Sequence, residues 1–96
     1  MDNKELENHI SFLCKILLKP ETTEQCRALL EDLCTYKEIE QMALRAYAAK
    51  LFLEGKTYNA IIAETELSSA TLSRVSRSLT HGSGGYRQIL EDEAER

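Results

Sequence analysis

The sequence has no tryptophan, a single proline and only four glycines in 96 residues. So few breakers leave room for long helices, and no stretch alternates polar and apolar residues long enough to make a convincing strand. An all-α chain is expected. No apolar run approaches the roughly 18 residues that a membrane span needs, and the polar N-terminus carries no secretory pattern, so a cytoplasmic setting is expected. Cysteine is scarce as well: Cys14, Cys26 and Cys34 form no CxxC pair, and an odd number cannot all pair within one chain. They read as small apolar core residues of a reducing compartment. Positive charge is also short, with a formal net charge of −4. The deficit is uneven. Residues 1–55 net −3 and the tail from Glu91 nets −3, while residues 56–90 net +2 through Lys56, Arg74, Arg77 and Arg87. A phosphate backbone would meet that local field.

What is present is helical periodicity. Leu6, Ile10, Leu13 and Leu17 place an amphipathic helix over residues 3–18, ended by Pro20. Thr22 or Thr23 can cap a second helix whose apolar stripe is Cys26, Leu29, Leu30 and Leu33. A third runs from about Tyr36 to Leu53, with Ile39, Met42, Ala43, Ala46, Ala49 and Leu53 in phase and Gly55 as its stop. Nothing marks a domain boundary. A 96-residue chain folding alone buries only about two-thirds of its unfolded surface, so a second subunit would add core.

Residues 56–80 read KTYNAIIAETELSSATLSRVSRSLT. Thr57 is a candidate N-cap for a short helix begun by Tyr58, Ile61 and Ile62. Ala63 is small where a second helix would cross. Leu67 is apolar inside a polar turn, which suits a plug between two helices. Ser68 or Ser69 can cap the helix that follows. That helix carries Leu72, Val75 and Leu79 on one face and Ala70, Ser73, Arg74 and Arg77 on the other. Two helices joined by a tight turn, the second with this exposed face, suit the DNA major groove. Small residues let the backbone approach, hydroxyls bond phosphates or base edges, and arginine can fork onto guanine. The segment departs from the usual helix-turn-helix at Glu66, where glycine is common. A left-handed backbone there costs a non-glycine residue about 1 kcal/mol.

These residues resemble the bacterial tryptophan repressor family. The core of the likeness is Thr35 to Leu79, strongest over Ala70-Thr71-Leu72-Ser73-Arg74 with Ser76, Ser78 and Leu79. Arg45 precedes Gly55 by ten residues, as the family pattern has it. The tail Leu79-Thr80-His81-Gly82-Ser83-Gly84-Gly85-Tyr86 looks more like the YerC/YecD-type branch. The resemblance implies a single domain over residues 1–96. Its helix-turn-helix would lie at about 57–80, and its dimerisation helices at about 3–53 and 85–93 would interlock with those of a second subunit. It also implies a corepressor pocket in which Arg45 and Arg74 sandwich a ligand, Thr35 faces it from the partner chain and Ser78 makes a polar contact. Two arginines suit a carboxylate and a flat ring.

The pocket residues depart from the repressor in ways that act against tryptophan. Val75 stands where the repressor has a glycine beside the indole ring, and Asp32 would oppose a carboxylate. A closed pocket is therefore favoured over binding of tryptophan or another small anionic corepressor; the alternative is modulation by an anionic ligand slimmer than tryptophan. Ala60, Ala63 and Thr80 replace basic or polar phosphate contacts, so DNA preference should differ from the repressor's.

The rest of the chain offers little chemistry. His9 and His81 share no ligand spacing with each other or with a cysteine, so no metal site is expected. Gly82-Ser83-Gly84-Gly85 follows a helix and lacks a Gly-Lys pair, so it reads as a bend into a last helix over about Gly85 to Glu93. The acidic run Glu91-Asp92-Glu93 reads as solvated. No nucleophile–base pair stands out, and an enzyme is not expected. The expected function is a homodimeric, sequence-specific DNA-binding regulator, a repressor by resemblance. Its expected contacts with double-stranded DNA are Lys56, Ser69, Ala70, Thr71, Ser73 and Arg77. The alternative is a non-catalytic protein-interaction module that uses the same helix.

Overall fold

The first five helices each begin where a side chain supplies the oxygen that the first turn's orphan amides need. The computed structural model describes residues 1–94, with side chains described through Glu91, so the expected solvation of Asp92 and Glu93 lies outside it. Asp2 caps α1 (Asn3–Leu17) by accepting from the Glu5 amide at 2.8 Å. Thr22 caps α2 (Thr23–Leu33) through the Gln25 amide at 3.1 Å. Before α3 (Tyr36–Leu53), Thr35 and Glu38 form a reciprocal capping box. The Glu38 amide donates to the Thr35 hydroxyl at 3.1 Å, and the Thr35 amide donates to the Glu38 carboxylate at 2.7 Å. Those two Thr35 interactions, the backbone amide first and the hydroxyl second, hold the Glu38 carboxyl below its usual range.

Gly55 ends α3. It lies at φ 84°, its amide donates to the Phe52 carbonyl, and the Lys56 amide donates to the Leu51 carbonyl, both at 3.0 Å. This pair of bonds is the Schellman ending that a left-handed glycine permits. Thr57 caps α4 (Tyr58–Thr65), Ser68 caps α5 (Ser69–His81), and α6 is Gly85–Ala94. Among the described residues there are six helices and no strand, so the chain is all-α as its breaker-poor composition predicts. None of these helices is long and apolar enough to cross a membrane.

The chain divides into two compact units, Met1–Ile39 and a second from Glu40 onward. In the first, no residue is buried within the single chain. Leu6, Ile10, Leu13 and Leu17, the expected stripe of α1, are all exposed, as are Phe12 and Leu18.

The second unit holds the whole core: Ala48, Ala49 and Leu51 of α3, Ile61 of α4, Leu67 of the turn, and Leu72, Val75 and Leu79 of α5. Tyr86 and Leu90 of α6 pack against it. Leu67 is 5% exposed, the plug expected of it. Burying side chains of this kind stabilises by about 1.5–3 kcal/mol each.

Three expectations change on contact with the structure. Ala63 is exposed. Ile61 and Thr65, one turn apart, are the residues of α4 that face inward, and the Thr65 hydroxyl is satisfied by donating to the Ile61 carbonyl at 2.8 Å. Ala43 and Ala46 of the α3 stripe are exposed in the single chain, and the alanines fully packed are Ala48 and Ala49. The cysteines are free, but none is a core residue: Cys14 is exposed, and Cys26 and Cys34 are half-buried. Helical phase identifies a stripe, but an amphipathic helix with two contact faces has two stripes to choose from.

Candidate nucleic-acid interface

The turn between α4 and α5 sets the interface. Glu66 occupies the left-handed region, φ 57° and ψ 19°, and its amide closes α4 onto the Ile62 carbonyl at 2.8 Å. It is the residue where a glycine would have cost less. One residue later Leu67 turns into the core, and Ser68 starts α5 by accepting from the Thr71 amide at 3.1 Å.

With Leu72, Val75 and Leu79 buried, the opposite face of α5 is open. Ser69, Ala70, Ser73, Arg74 and Arg77 are all exposed on it, as helical phase predicts. Arg74 and Arg77 form no ion pair with any described acid, nor does exposed Lys56 just before α4. Arg87 differs. Its Nε donates to the Leu79 carbonyl at 2.8 Å and its terminal nitrogen pairs with Glu91 at 2.9 Å. This cation completes the C-terminal end of α5, where positive charge is favourable, and adds little to the basic face it was counted with.

Thr71 sits apart from the other candidate DNA contacts. It is half-buried, and its hydroxyl accepts from Ser68 at 3.0 Å. It lines a cleft of about 560 Å³ whose walls include Glu40, Glu64 and Glu66. Three carboxylates there disfavour an approaching phosphate. One of them is engaged: Glu64 accepts from the Tyr47 phenol at 3.2 Å, which together with its negative charge pushes the phenol above its ordinary value.

Tyr58 is a residue the sequence reading took only as an apolar starter of α4. Its ring meets Phe52 edge-on, with centroids 5.8 Å apart and planes at 61°. Its hydroxyl lies 2.7 Å from the Ser73 Oγ, on the open face of α5. An aromatic beside a capping threonine is the only signal the sequence carries for this. The pairing spans fifteen positions and belongs to the tertiary fold.

Of the candidate ligand residues, Arg45 lies on α3, Arg74 and Ser78 lie on α5, and Thr35 precedes α3. Ser78 lines a second cleft of about 480 Å³ with Ser83, Gly84, Gly85, Tyr86 and Ile89. Arg45 is half-buried on α3 and Arg74 is exposed, and neither lines this cleft or the acidic one. Thr35 belongs to the other compact unit, where it makes the capping box. Val75 is 2% exposed and packed in the core, so its isopropyl group occupies space between the helices.

Comparison with known proteins agrees with this architecture. Residues 8–94 match the family described as Trp repressor protein. The chain is 40% identical over 75 residues to the uncharacterised protein YerC of Bacillus subtilis, covering 78% of this chain and 72% of the relative. A crystal structure of a Staphylococcus aureus protein proposed to be a Trp repressor superposes with a TM-score of 0.88 at 36% identity, covering 98% of this chain and 95% of that one. The crystal structure of a TrpR-like protein from Eubacterium eligens gives 0.88 at 33% identity, over 97% and 96% of the two chains.

Proposed function

The chain belongs to the Trp repressor protein family, and from that premise we propose that it is a sequence-specific DNA-binding transcriptional regulator, a homodimeric repressor that performs no catalysis. The observation that carries the reading is the open face of α5. Ser69, Ala70, Ser73, Arg74 and Arg77 stand exposed on a helix whose other side is locked into a core, and no described acid neutralises the arginines. Lys56 adds a cation before α4. Such a face offers hydroxyl and guanidinium donors to base edges and phosphates while the short side chains let the helix enter the groove. Thr71, recessed beside carboxylates, suits a base edge better than a phosphate.

The first compact unit supports the homodimer. Leu6, Ile10, Leu13 and Leu17 in one exposed stripe are more apolar surface than a small soluble monomer usually leaves in one place. Two subunits would also set the spacing of two reading heads. The bacterial cytoplasm is the matching compartment.

The proposed regulator binds DNA without tryptophan. Val75 fills the helix-to-core space, which supports a slot too narrow for an indole. A ligand shifts a binding equilibrium only by its differential affinity for two states.

Selection of genomic fragments by the purified protein, with and without tryptophan, tests the reading. A single enriched motif recovered equally under both conditions is expected. Enrichment of no motif at low salt would overturn the DNA reading in favour of a protein-docking helix. A tenfold gain in affinity with micromolar tryptophan, about 1.4 kcal/mol of coupling, would restore the corepressor. Arg77→Ala should weaken binding and, if the contact is to phosphate, flatten the salt dependence by about one unit. Unchanged affinity in folded Arg77→Ala would remove Arg77 from the interface.

A further inference from the structure

Hydroxyls on helices commonly fold back onto their own backbone. In α5, Thr80 donates to the Ser76 and Arg77 carbonyls, and in α4, Thr65 donates to the Ile61 carbonyl. Ser73 behaves differently. Its Oγ is drawn to the Tyr58 hydroxyl at 2.7 Å, and Tyr58 is itself braced edge-on against Phe52 of α3. One aromatic side chain thus connects the end of α3, the start of α4 and the middle of the exposed α5 face.

The proton count of this pair decides what it can do. Two hydroxyls hold two protons, and their mutual hydrogen bond uses one of them. Whichever oxygen donates inward, one O–H remains to donate outward. It is the more polarised for belonging to a two-membered chain. The serine lies on the face whose neighbours are Ala70 and Arg77, and both it and the tyrosine are exposed.

We propose that Tyr58 and Ser73 act as one hydroxyl pair that donates a single hydrogen bond to a DNA acceptor, with Tyr58 as the positioning residue that holds the serine for it. The proposal rests on the DNA-binding reading above and adds to it a residue outside the recognition helix. It also accounts for a tyrosine at the first position of α4, where a purely apolar residue would pack against Phe52 equally well.

The test is a double-mutant cycle in DNA binding, using the motif selected by the wild-type dimer. Tyr58→Phe keeps the ring on Phe52 and removes only the hydroxyl. Ser73→Ala removes the other half, and Ser73→Thr keeps a hydroxyl. Each of Tyr58→Phe and Ser73→Ala should lose about three- to tenfold in affinity, the range of one neutral hydrogen bond. The double variant should lose no more than the worse single one. Ser73→Thr should recover most of the loss. Because no charge is removed, the salt dependence should stay as in wild type, in contrast to loss of a phosphate-bound cation.

Repeating the selection with Tyr58→Phe then names the acceptor. Relaxed preference at one position marks a base edge, and a uniform loss across sequences marks a phosphate. Wild-type affinity in Tyr58→Phe, or losses in the two single variants that simply add, would overturn the proposal while leaving the DNA reading intact. A wild-type protein that enriches no motif would overturn both.

Discussion

The two compact units of this chain solve the same problem in opposite ways. From Glu40 onward, four helices and a turn bury eight apolar residues of their own, three of them alanine or leucine from α3 and three from α5. From Met1 to Ile39, two capped and strongly amphipathic helices bury nothing within the single chain. Local helix signals are no weaker in the first unit: both units have side-chain caps, and the acidic first-turn residues, Glu5, Glu24 and Glu38, all belong to the first. The difference shows that caps and phase make a helix, while burial requires a facing surface. In the first unit that surface would be a second copy of the chain.

Charging the apolar stripe of α1 should break this comparison most severely. Ile10→Asp with Leu13→Asp would place two carboxylates in the proposed subunit interface, at a cost of several kcal/mol each if they stay buried and unpaired. Sedimentation should then show monomer at micromolar concentration, with helicity lost. A variant that remains dimeric and fully helical would remove α1 from the interface. Leu72→Ala addresses the other unit. Leu72 is fully buried at the centre of the core, so truncation should cost about 2–5 kcal/mol in urea unfolding. A loss below 1 kcal/mol would mean that this core collapses onto the gap.

Glu66→Gly sharpens the contrast within the helix-turn-helix itself. The left-handed backbone favours glycine by about 1 kcal/mol, offset in part by the freedom glycine regains when unfolded. A small net gain in Tm is expected, and a clear loss would show that the Glu66 side chain stabilises the turn. The smallest effect concerns the capping box of α3. Because Thr35 holds the Glu38 carboxyl below its usual range, its contribution is present above the unfolded-state value and fades as pH falls through the folded one. Glu38→Gln should therefore be less stable than wild type at neutral pH and equal to it in acid, as read by thermal unfolding at both. A difference that persists in acid would assign the effect to packing.

Much of the second unit is legible in the sequence. Thr57, Ser68, Leu67 and Gly55 stand in the roles their chemistry suggests, because caps, plugs and left-handed stops are decided by the residue and its immediate neighbours. The exposed face of α5 was legible for the same reason, since three buried residues in helical phase leave only one side open. The exposure of Ala63, the single-chain exposure of the cysteines and the partners of Arg87 are not legible there, because their surroundings come from distant segments. No neighbour in sequence tells that Arg87 will reach back to the Leu79 carbonyl.

The sequence by itself determined six helices, the threonine and serine caps of α2, α4 and α5, and a basic, hydroxyl-rich face, all of which depend on spacings within a few residues. Only the tertiary structure decided that Tyr58 meets Ser73, that Arg87 reaches back to the Leu79 carbonyl, and that Thr71 looks onto carboxylates. Those outcomes depend on which helix surfaces pack together. Packing is settled by the shape and burial of whole faces, information spread over many residues rather than carried by any short stretch.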